Sequence, residues 1–222
     1  VMKVIGHIRT DFPSKFGIPR QSGLIDSLKG KIILEPEYRN PDALRGLEDY
    51  SHLWLLWHFS QARQEGWSPT VRPPRLGGNT RVGVFATRSP FRPNGLGLSS
   101  VRLEGIEQSP KHGPILHVTG ADLMNQTPIF DIKPYLPYVD SHPEAQEGFA
   151  GTVKDYRLTV HSTAKLDARI PEEHKAAIYA ILEQDPRPSY QNDSERIYGI
   201  KYAGMNIRFR VDNGGLYICS ID

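Results

Sequence analysis

Apolar and polar residues alternate in short runs through the first two thirds of the chain, the period of half-buried strands. Residues 1–9, with Val4, Gly6 and Ile8 in alternation, predict a strand, and 31–34, 81–87, 98–106 and 115–119 predict others. The run 51–59 is nearly all apolar, holds Trp54 and Trp57, and is short enough to favour a buried strand. Asn40-Pro41-Asp42 reads as an N-cap with proline at the first helical position, predicting a short helix to about residue 48. Polar segments at 10–23, 66–79 and 122–135 read as loops. No useful helical period occurs before about residue 165, so the first part is a β-dominated domain of about six to eight short strands.

The tail differs. Pro171 opens a helix predicted over 171–184, with Glu172 and Glu173 at its positive end and Ile178, Ile181 and Leu182 on one face. Strands follow at 197–202 and 206–211, joined through Ala203-Gly204, and the turn Asp212-Asn213-Gly214-Gly215 leads into a third at 216–221. The tail is thus a compact α+β unit. With the stretch 140–151 as linker, the expected division is a first domain over 1–147 and a small second domain over 148–222.

Composition sharpens this. The chain has 20 glycines and 18 prolines in 222 residues, roughly 17% against a usual share of about 12%, which favours turns over a helical bundle. Nothing approaches about 18 consecutive apolar residues, so no membrane span is expected. The opening residues lack a signal-peptide pattern, and the single cysteine, Cys219, excludes an internal disulfide and cysteine-based zinc fingers. A reducing cytoplasm is the expected location. No metal site is expected, because the eight histidines are dispersed and His52 and His58 fit no helical ligand pair.

Net charge is only +2, but its distribution is uneven. Residues 66–103 contain no Asp, Glu or Lys and hold Arg72, Arg75, Arg81, Arg88, Arg92 and Arg102, leaving the rest of the chain mildly acidic. Arginine presents a planar fork suited to phosphate and carboxylate. Phosphate-cradling loops of the Gly-Lys-Ser kind, the Gly-x-Gly-x-x-Gly fingerprint and the Gly-x-Ser-x-Gly elbow are all absent.

Three stiff clusters remain: Arg81 to Gly95, where Pro90 and Pro93 hold Arg88 and Arg92; Asp122 to Tyr135; and Asp185-Pro-Arg-Pro-Ser-Tyr190. The stretch Gly83-Val-Phe-Ala-Thr-Arg-Ser-Pro-Phe-Arg-Pro-Asn94 resembles the signature of the TsaA/TrmO (YaeB) family. Val71-Arg-Pro-Pro-Arg-Leu-Gly-Gly-Asn79, Asp131-Ile-Lys-Pro-Tyr135 and Asp185-Pro-Arg-Pro-Ser-Tyr190 resemble further blocks of that family in the same order.

The resemblance implies a mainly β fold, an antiparallel β-barrel domain with a small C-terminal α+β domain, and a homodimer. It implies a tRNA methyltransferase dependent on S-adenosylmethionine, acting on threonylcarbamoyl-adenosine beside the anticodon. Cofactor contacts carried over by position are Gln21, Ser22 and Gly23, then Ser60 and Gln61, then Arg88 and Leu98, and finally Asp122, Leu123, Met124 and Asn125. Two departures stand out: Ser60 replaces the family's usual His, and Asn94-Gly95-Leu96-Gly97 replaces Asn-Pro-x-Gly.

The substrate nitrogen belongs to a urea, so it needs alignment and loss of its proton. Asp131 is the expected base, with Arg92, Asn94 and Tyr135 as the other catalytic candidates, although a carboxylate there also suits a turn cap. Arg72, Arg75, Arg187 and Tyr190 are the expected contacts to the anticodon loop. Arg187 has a structural alternative, pairing with Asp185 to hold the turn. The competing functional readings are a non-catalytic RNA-binding module and a sensor that binds S-adenosylmethionine without turnover. Cofactor binding is expected to reside in residues 1–147.

Overall fold

A computed structural model describes residues 2–62, 67–76, 79–187 and 193–222, with the side chain of Arg75 excepted. The strands run in the order β1 (Gly6–Thr10), β2 (Lys29–Leu34), β3 (His52–His58), β4 (Thr70–Val71), β5 (Val82–Gly83), β6 (Leu96–Ser109), β7 (Gly113–Thr119) and β8 (Thr127–Pro134). After a short helix α1 (Pro137–Asp140) come β9 (Thr159–His161), α2 (Ala164–Asp167), α3 (Glu172–Glu183), β10 (Tyr198–Tyr202), β11 (Met205–Asp212) and β12 (Gly215–Ile221).

Six strands close into an antiparallel barrel in the order β1-β2-β7-β6-β3-β8, with β8 returning to β1. Alternation decides which side chains point inward. Leu53, Leu55 and Trp57 of β3 meet Ile8, Ile32, Val101, Leu116, Val118 and Ile129 in the interior, all buried. Ser99 is an inward-facing polar residue with no exposure, and its hydroxyl accepts from the Trp57 indole N–H at 2.9 Å. Gly97 is required for that ring, since a Cβ there would lie 2.2 Å from an indole carbon of Trp57.

Segment 127–134 was expected as loop and is a strand. Its prolines suggest a break, but Pro128 and Pro134 each tolerate their places in the register, opposite His7 and Leu53. Pairing on both flanks supplies what local propensity does not, and a shift in pairing at Leu56/Trp57 absorbs the extra residue Phe130. The helix expected from Asn40 to about residue 48 is instead two 3₁₀ turns, Pro41–Leu44 and Leu47–Asp49. Asn40 does cap the first, accepting from the Asp42 N–H at 3.0 Å, but Gly46 at φ 83° breaks the path. The strand expected over 81–87 is only Val82–Gly83 followed by a 3₁₀ turn at Val84–Ala86.

The tail sheet has the order β10-β11-β12-β9, and β9 pairs β12 in parallel, a strand that local pattern did not reveal. Helix α3 lays Ala177, Ile178, Ile181 and Leu182 onto it. This second core is not built by the tail alone: Phe12, Ile25 and Leu28 of the first domain are buried in it. A chain cut at residue 147 would uncover them, so the expectation that residues 1–147 suffice for binding meets a structural obstacle.

Gly97→Ala should drive the Trp57 ring out of place. Overpacking of this kind costs about 1–3 kcal/mol, so a thermal melt should fall by several degrees with a change in tryptophan emission. A wild-type melt would refute the contact.

Candidate functional site

The polar residues gather where loops meet one rim of the barrel. Loop 20–23 meets the N-terminal half of β6, beyond the point where β7 stops pairing with it. It is held by Ser22 Oγ, which accepts from the Ser100 N–H at 3.1 Å, and by the Gly23 N–H, which donates to the Gly120 carbonyl at 2.9 Å. The Arg88 guanidinium, leaving the Pro-rich signature turn, donates to Gln21 Oε1. Asp122 enters from the other side, accepting from Ser99 Oγ at 2.6 Å and from the Ser22 backbone N–H. Gln21, Ser22, Gly23, Arg88 and Asp122 are therefore one constellation drawn from three distant segments.

Its central carboxylate is perturbed. Burial pushes Asp122 above the usual carboxylate range, while the Ser99 and backbone hydrogen bonds and the Arg88 charge act in the opposite direction without cancelling it. The chain Trp57 Nε1–H to Ser99 Oγ to Asp122 Oδ1 anchors this group to the barrel interior. Ser99, Ser100 and Trp57 were not singled out from the sequence. The available signal was a serine in the alternating register of Gly97, Val101 and Leu103.

The other cofactor candidates take different places. Leu123 is 1% exposed and fills the barrel core, so only its backbone faces outward chemistry, and its carbonyl accepts from Thr10 Oγ1 at 2.9 Å. Asn125 Oδ1 accepts from the Thr10 N–H at 3.3 Å, and the Met124 carbonyl accepts from Thr127 Oγ1 at 2.7 Å. This block shapes the rim that presents Asp122. Ser60 and Gln61 follow the end of β3, where the Phe59 N–H donates to the Gly95 carbonyl at 2.9 Å and ties them to the turn carrying Asn94. Leu98 is 56% exposed on the outer face of β6.

That outer face also carries Asp131. Leu98, Leu56 and Asp131 are register partners on the adjacent strands β6, β3 and β8, which places Leu98 and Asp131 about 10 Å apart across the sheet. Asp131 Oδ2 pairs with Lys133 Nζ at 3.0 Å, and Oδ1 accepts from the Ile132 N–H at 3.0 Å. Tyr135 continues the same segment and sits against the Trp54 ring at 5.5 Å and the His52 ring at 6.2 Å. The Trp54 indole in turn donates to Asp140 Oδ2 at 2.9 Å. An open groove of about 1030 Å³ runs from Ser22, Gly23 and Ser100 to Trp54 and Tyr135, and neither Arg88, Asp122, Leu98 nor Asp131 lines it.

The five arginines of this segment whose side chains are described make different contacts. Arg92 Nη1 donates to the carbonyls of Thr87 and Val84 at 2.6 and 3.1 Å, and its guanidinium lies 5.7 Å from the centre of the Phe85 ring, so it staples the signature turn. Arg81 donates to Thr70 Oγ1 at 3.1 Å, Arg102 pairs with Glu104 at 3.3 Å, and Arg72 is exposed. Asn94 is exposed on the same turn.

In the tail, Arg187 Nε and Nη2 each bond Asp185 at 2.8 Å, with the side chains only 10% and 14% exposed. Burial works to raise the Asp185 pKa, but the Arg187 bonds and charge, with the Tyr156 hydroxyl, hold it below the usual carboxylate range. Arg187 thus takes the structural alternative: its donors face a carboxylate, not solvent. Tyr190 and the side chain of Arg75 lie outside the described residues. Among the described residues no group of three or more His, Cys, Asp or Glu is placed to hold a metal, and no helix is long and apolar enough to cross a membrane.

Comparison with known proteins matches two family models: the tRNA-methyltransferase O N-terminal domain over residues 7–141 and the TrmO C-terminal domain over residues 155–222. The chain is 42% identical over 226 residues to a tRNA (adenine(37)-N6)-methyltransferase of Escherichia coli K12, covering 98% of this chain and 96% of that one. It is 41% identical to a putative S-adenosylmethionine-dependent methyltransferase of Pseudomonas aeruginosa, covering 92% and 90%. A crystal structure of TrmO from Pseudomonas aeruginosa superposes with a TM-score of 0.79 at 33% identity, covering 100% of this chain and 98% of that one.

Two outcomes follow from this geometry. Because the folded pKa of Asp122 is raised, its favourable contribution is complete below the unfolded pKa and is lost as pH rises through the folded value. Asp122→Asn should therefore raise the melting temperature at pH 7, by about 2–4 °C for each kcal/mol relieved, and the gain should vanish near pH 3. Arg187→Ala leaves Asp185 buried without its partner, a loss of about 3 kcal/mol. Its melting temperature should fall while the salt dependence of RNA binding stays at the wild-type slope.

Proposed function

The chain belongs to the tRNA-methyltransferase O family, and from that premise we propose that it methylates the N6 nitrogen of threonylcarbamoyl-adenosine at position 37, beside the tRNA anticodon, with S-adenosylmethionine as donor. One observation carries the reading. The rim sets a guanidinium, Arg88, and a half-buried carboxylate, Asp122, around one loop. S-adenosylmethionine bears a carboxylate, an ammonium and a cationic sulfur, so the Arg88 guanidinium and the Asp122 carboxylate fit it in sign, on a loop whose Ser22 and Gly23 N–H groups are fixed by Asp122 and the Gly120 carbonyl. The exposed Leu98 offers an apolar wall beside them.

When bound, the cofactor supplies an electrophilic methyl group on cationic sulfur. The protein's part is alignment and removal of the N6 proton. Asp131, held by Lys133, is the acceptor for that proton, and Tyr135, fixed against Trp54, follows four residues on in the same segment. Arg92 and Asn94 act through the signature turn, Arg92 by bonding its carbonyls. Ser60 and Gln61 close the rim through the Phe59–Gly95 hydrogen bond. The exposed Arg72, and Arg75 beside it in sequence, supply cations for anticodon-loop phosphates. A homodimer is supported by the exposed Trp67, Phe85 and Phe91, large apolar side chains left facing outward on and beside the signature. The cytoplasm, where tRNA is modified, is the proposed location.

Calorimetry with S-adenosylmethionine and a methyl-transfer assay on modified tRNA test the reading. Binding without transfer would assign a sensor, and tRNA binding with neither would assign an RNA-binding module. Arg88→Lys keeps the charge but loses the fork. It should lower kcat/KM by roughly ten- to a hundredfold, the worth of one charged hydrogen bond at about 1.5–3 kcal/mol. Wild-type kcat/KM in that variant would remove Arg88 from the anion-binding role.

A further inference from the structure

Strand β10 is an edge of the tail sheet, yet its Ile200 and Tyr202 are 3% and 2% exposed. Helix α3 covers part of them, with the His174 ring edge-on to Tyr202 at 5.8 Å, and the first domain supplies a further cover. Phe12 meets the Tyr202 ring edge-on at 5.0 Å, and the Ala203 N–H donates to the Asp11 carbonyl at 3.0 Å. Gly17 lies against Ile200, where an added Cβ would stand 3.2 Å from its Cβ and Cγ2. Ile25 and Leu28 re-enter the same core. Between these anchors the chain reaches the barrel rim, where Ser22 bonds Ser100, the Gly23 N–H bonds the Gly120 carbonyl, and Gln21 meets Arg88. Residues 11–28 are therefore a strap, seated in the tail core at both ends and laid on the barrel rim in the middle.

We propose that the tail domain sets the conformation of the cofactor loop, with Ile200 and Tyr202 of β10 as positioning residues that act through Phe12 and Gly17. The proposal rests on the assignment of Gln21, Ser22 and Gly23 to S-adenosylmethionine. A loop that had to be ordered by its ligand would weaken binding by the cost of fixing its backbone and side chains. Seating Phe12, Ile25 and Leu28 in a folded core meets that cost before the ligand arrives.

The test uses the full chain and four proteins: wild type, Tyr202→Ala, Tyr202→Phe and Leu216→Ala. Leu216 is fully buried in the same core but lies on β12, two strands from β10, so its truncation destabilises the tail from a position remote from the β10 contacts. Amide exchange at Gly23 reports the loop without any ligand. Tyr202→Ala should speed that exchange and raise the Kd and KM for S-adenosylmethionine, each by about tenfold, with kcat at saturating cofactor within about twofold of wild type. Tyr202→Phe, which keeps the ring, should restore all three, and Leu216→Ala should leave them near wild type. Should Tyr202→Ala fail to fold, Ile200→Val, which removes one methylene, gives the same signs at smaller size. Wild-type Gly23 exchange in a folded Tyr202→Ala or Ile200→Val, or equal loosening in Leu216→Ala, would overturn the proposal. Wild-type protein that bound no S-adenosylmethionine would overturn the cofactor reading, and the cofactor role of the strap with it, while the exchange data would still report the strap alone.

Discussion

A barrel of six strands has no open edge only if its last strand bonds on both sides, and β8 does so, pairing β1 through Thr127–Ile129 and β3 through Ile129–Pro134. Closure fixes which residues point inward on every strand, because slipping one residue would exchange the two faces. It also forces all connections to the rims. The segments carrying Gln21, Arg88 and Asp122 are far apart in sequence: the first joins the neighbours β1 and β2, the second lies in the long connection between the neighbours β3 and β6, and the third crosses the barrel end from β7 to the non-adjacent β8, which brings Asp122 to Ser99 and Ser22.

The interior is apolar except where it supports the rim. Ser99 faces inward beneath Asp122 and is satisfied from below by Trp57, so a hydrogen-bonded chain runs from the core to the site. Such a chain resists displacement, since breaking any link leaves a buried polar group without its partner. The same burial that raises the Asp122 pKa makes its charge count for more toward a cation, as the lower local dielectric strengthens the attraction. Under the proposed cofactor role, stability and binding pull against each other at this residue.

The two domains are joined by more than a linker. The strap of residues 11–28 contributes Phe12, Ile25 and Leu28 to the tail core and Ser22 to the barrel rim. A boundary drawn by element order near residue 147 thus divides the chain without dividing its packing, because hydrophobic cores are defined by contact and not by sequence.

The local features were legible from the chain itself. A short, nearly all-apolar run marked β3, alternating apolar residues marked β7 and the three tail hairpin strands, and the facial spacing of Ile178, Ile181 and Leu182 marked α3. The signature around Arg88 pointed to the family, since its residues are set by chemistry shared along one short segment. What the sequence left open was decided by contacts between distant segments. Strand β8 exists because two neighbours bond it, against its own prolines. The expected helix after Asn40 stops where Gly46 turns, and β9 exists only beside β12. Arg187 proved to be a turn staple because its fork closes on Asp185 instead of on solvent. The joining of Gln21, Ser22, Arg88 and Asp122, and the seating of their loop on Tyr202, depend on the closed barrel and the shared core, which no local pattern encodes.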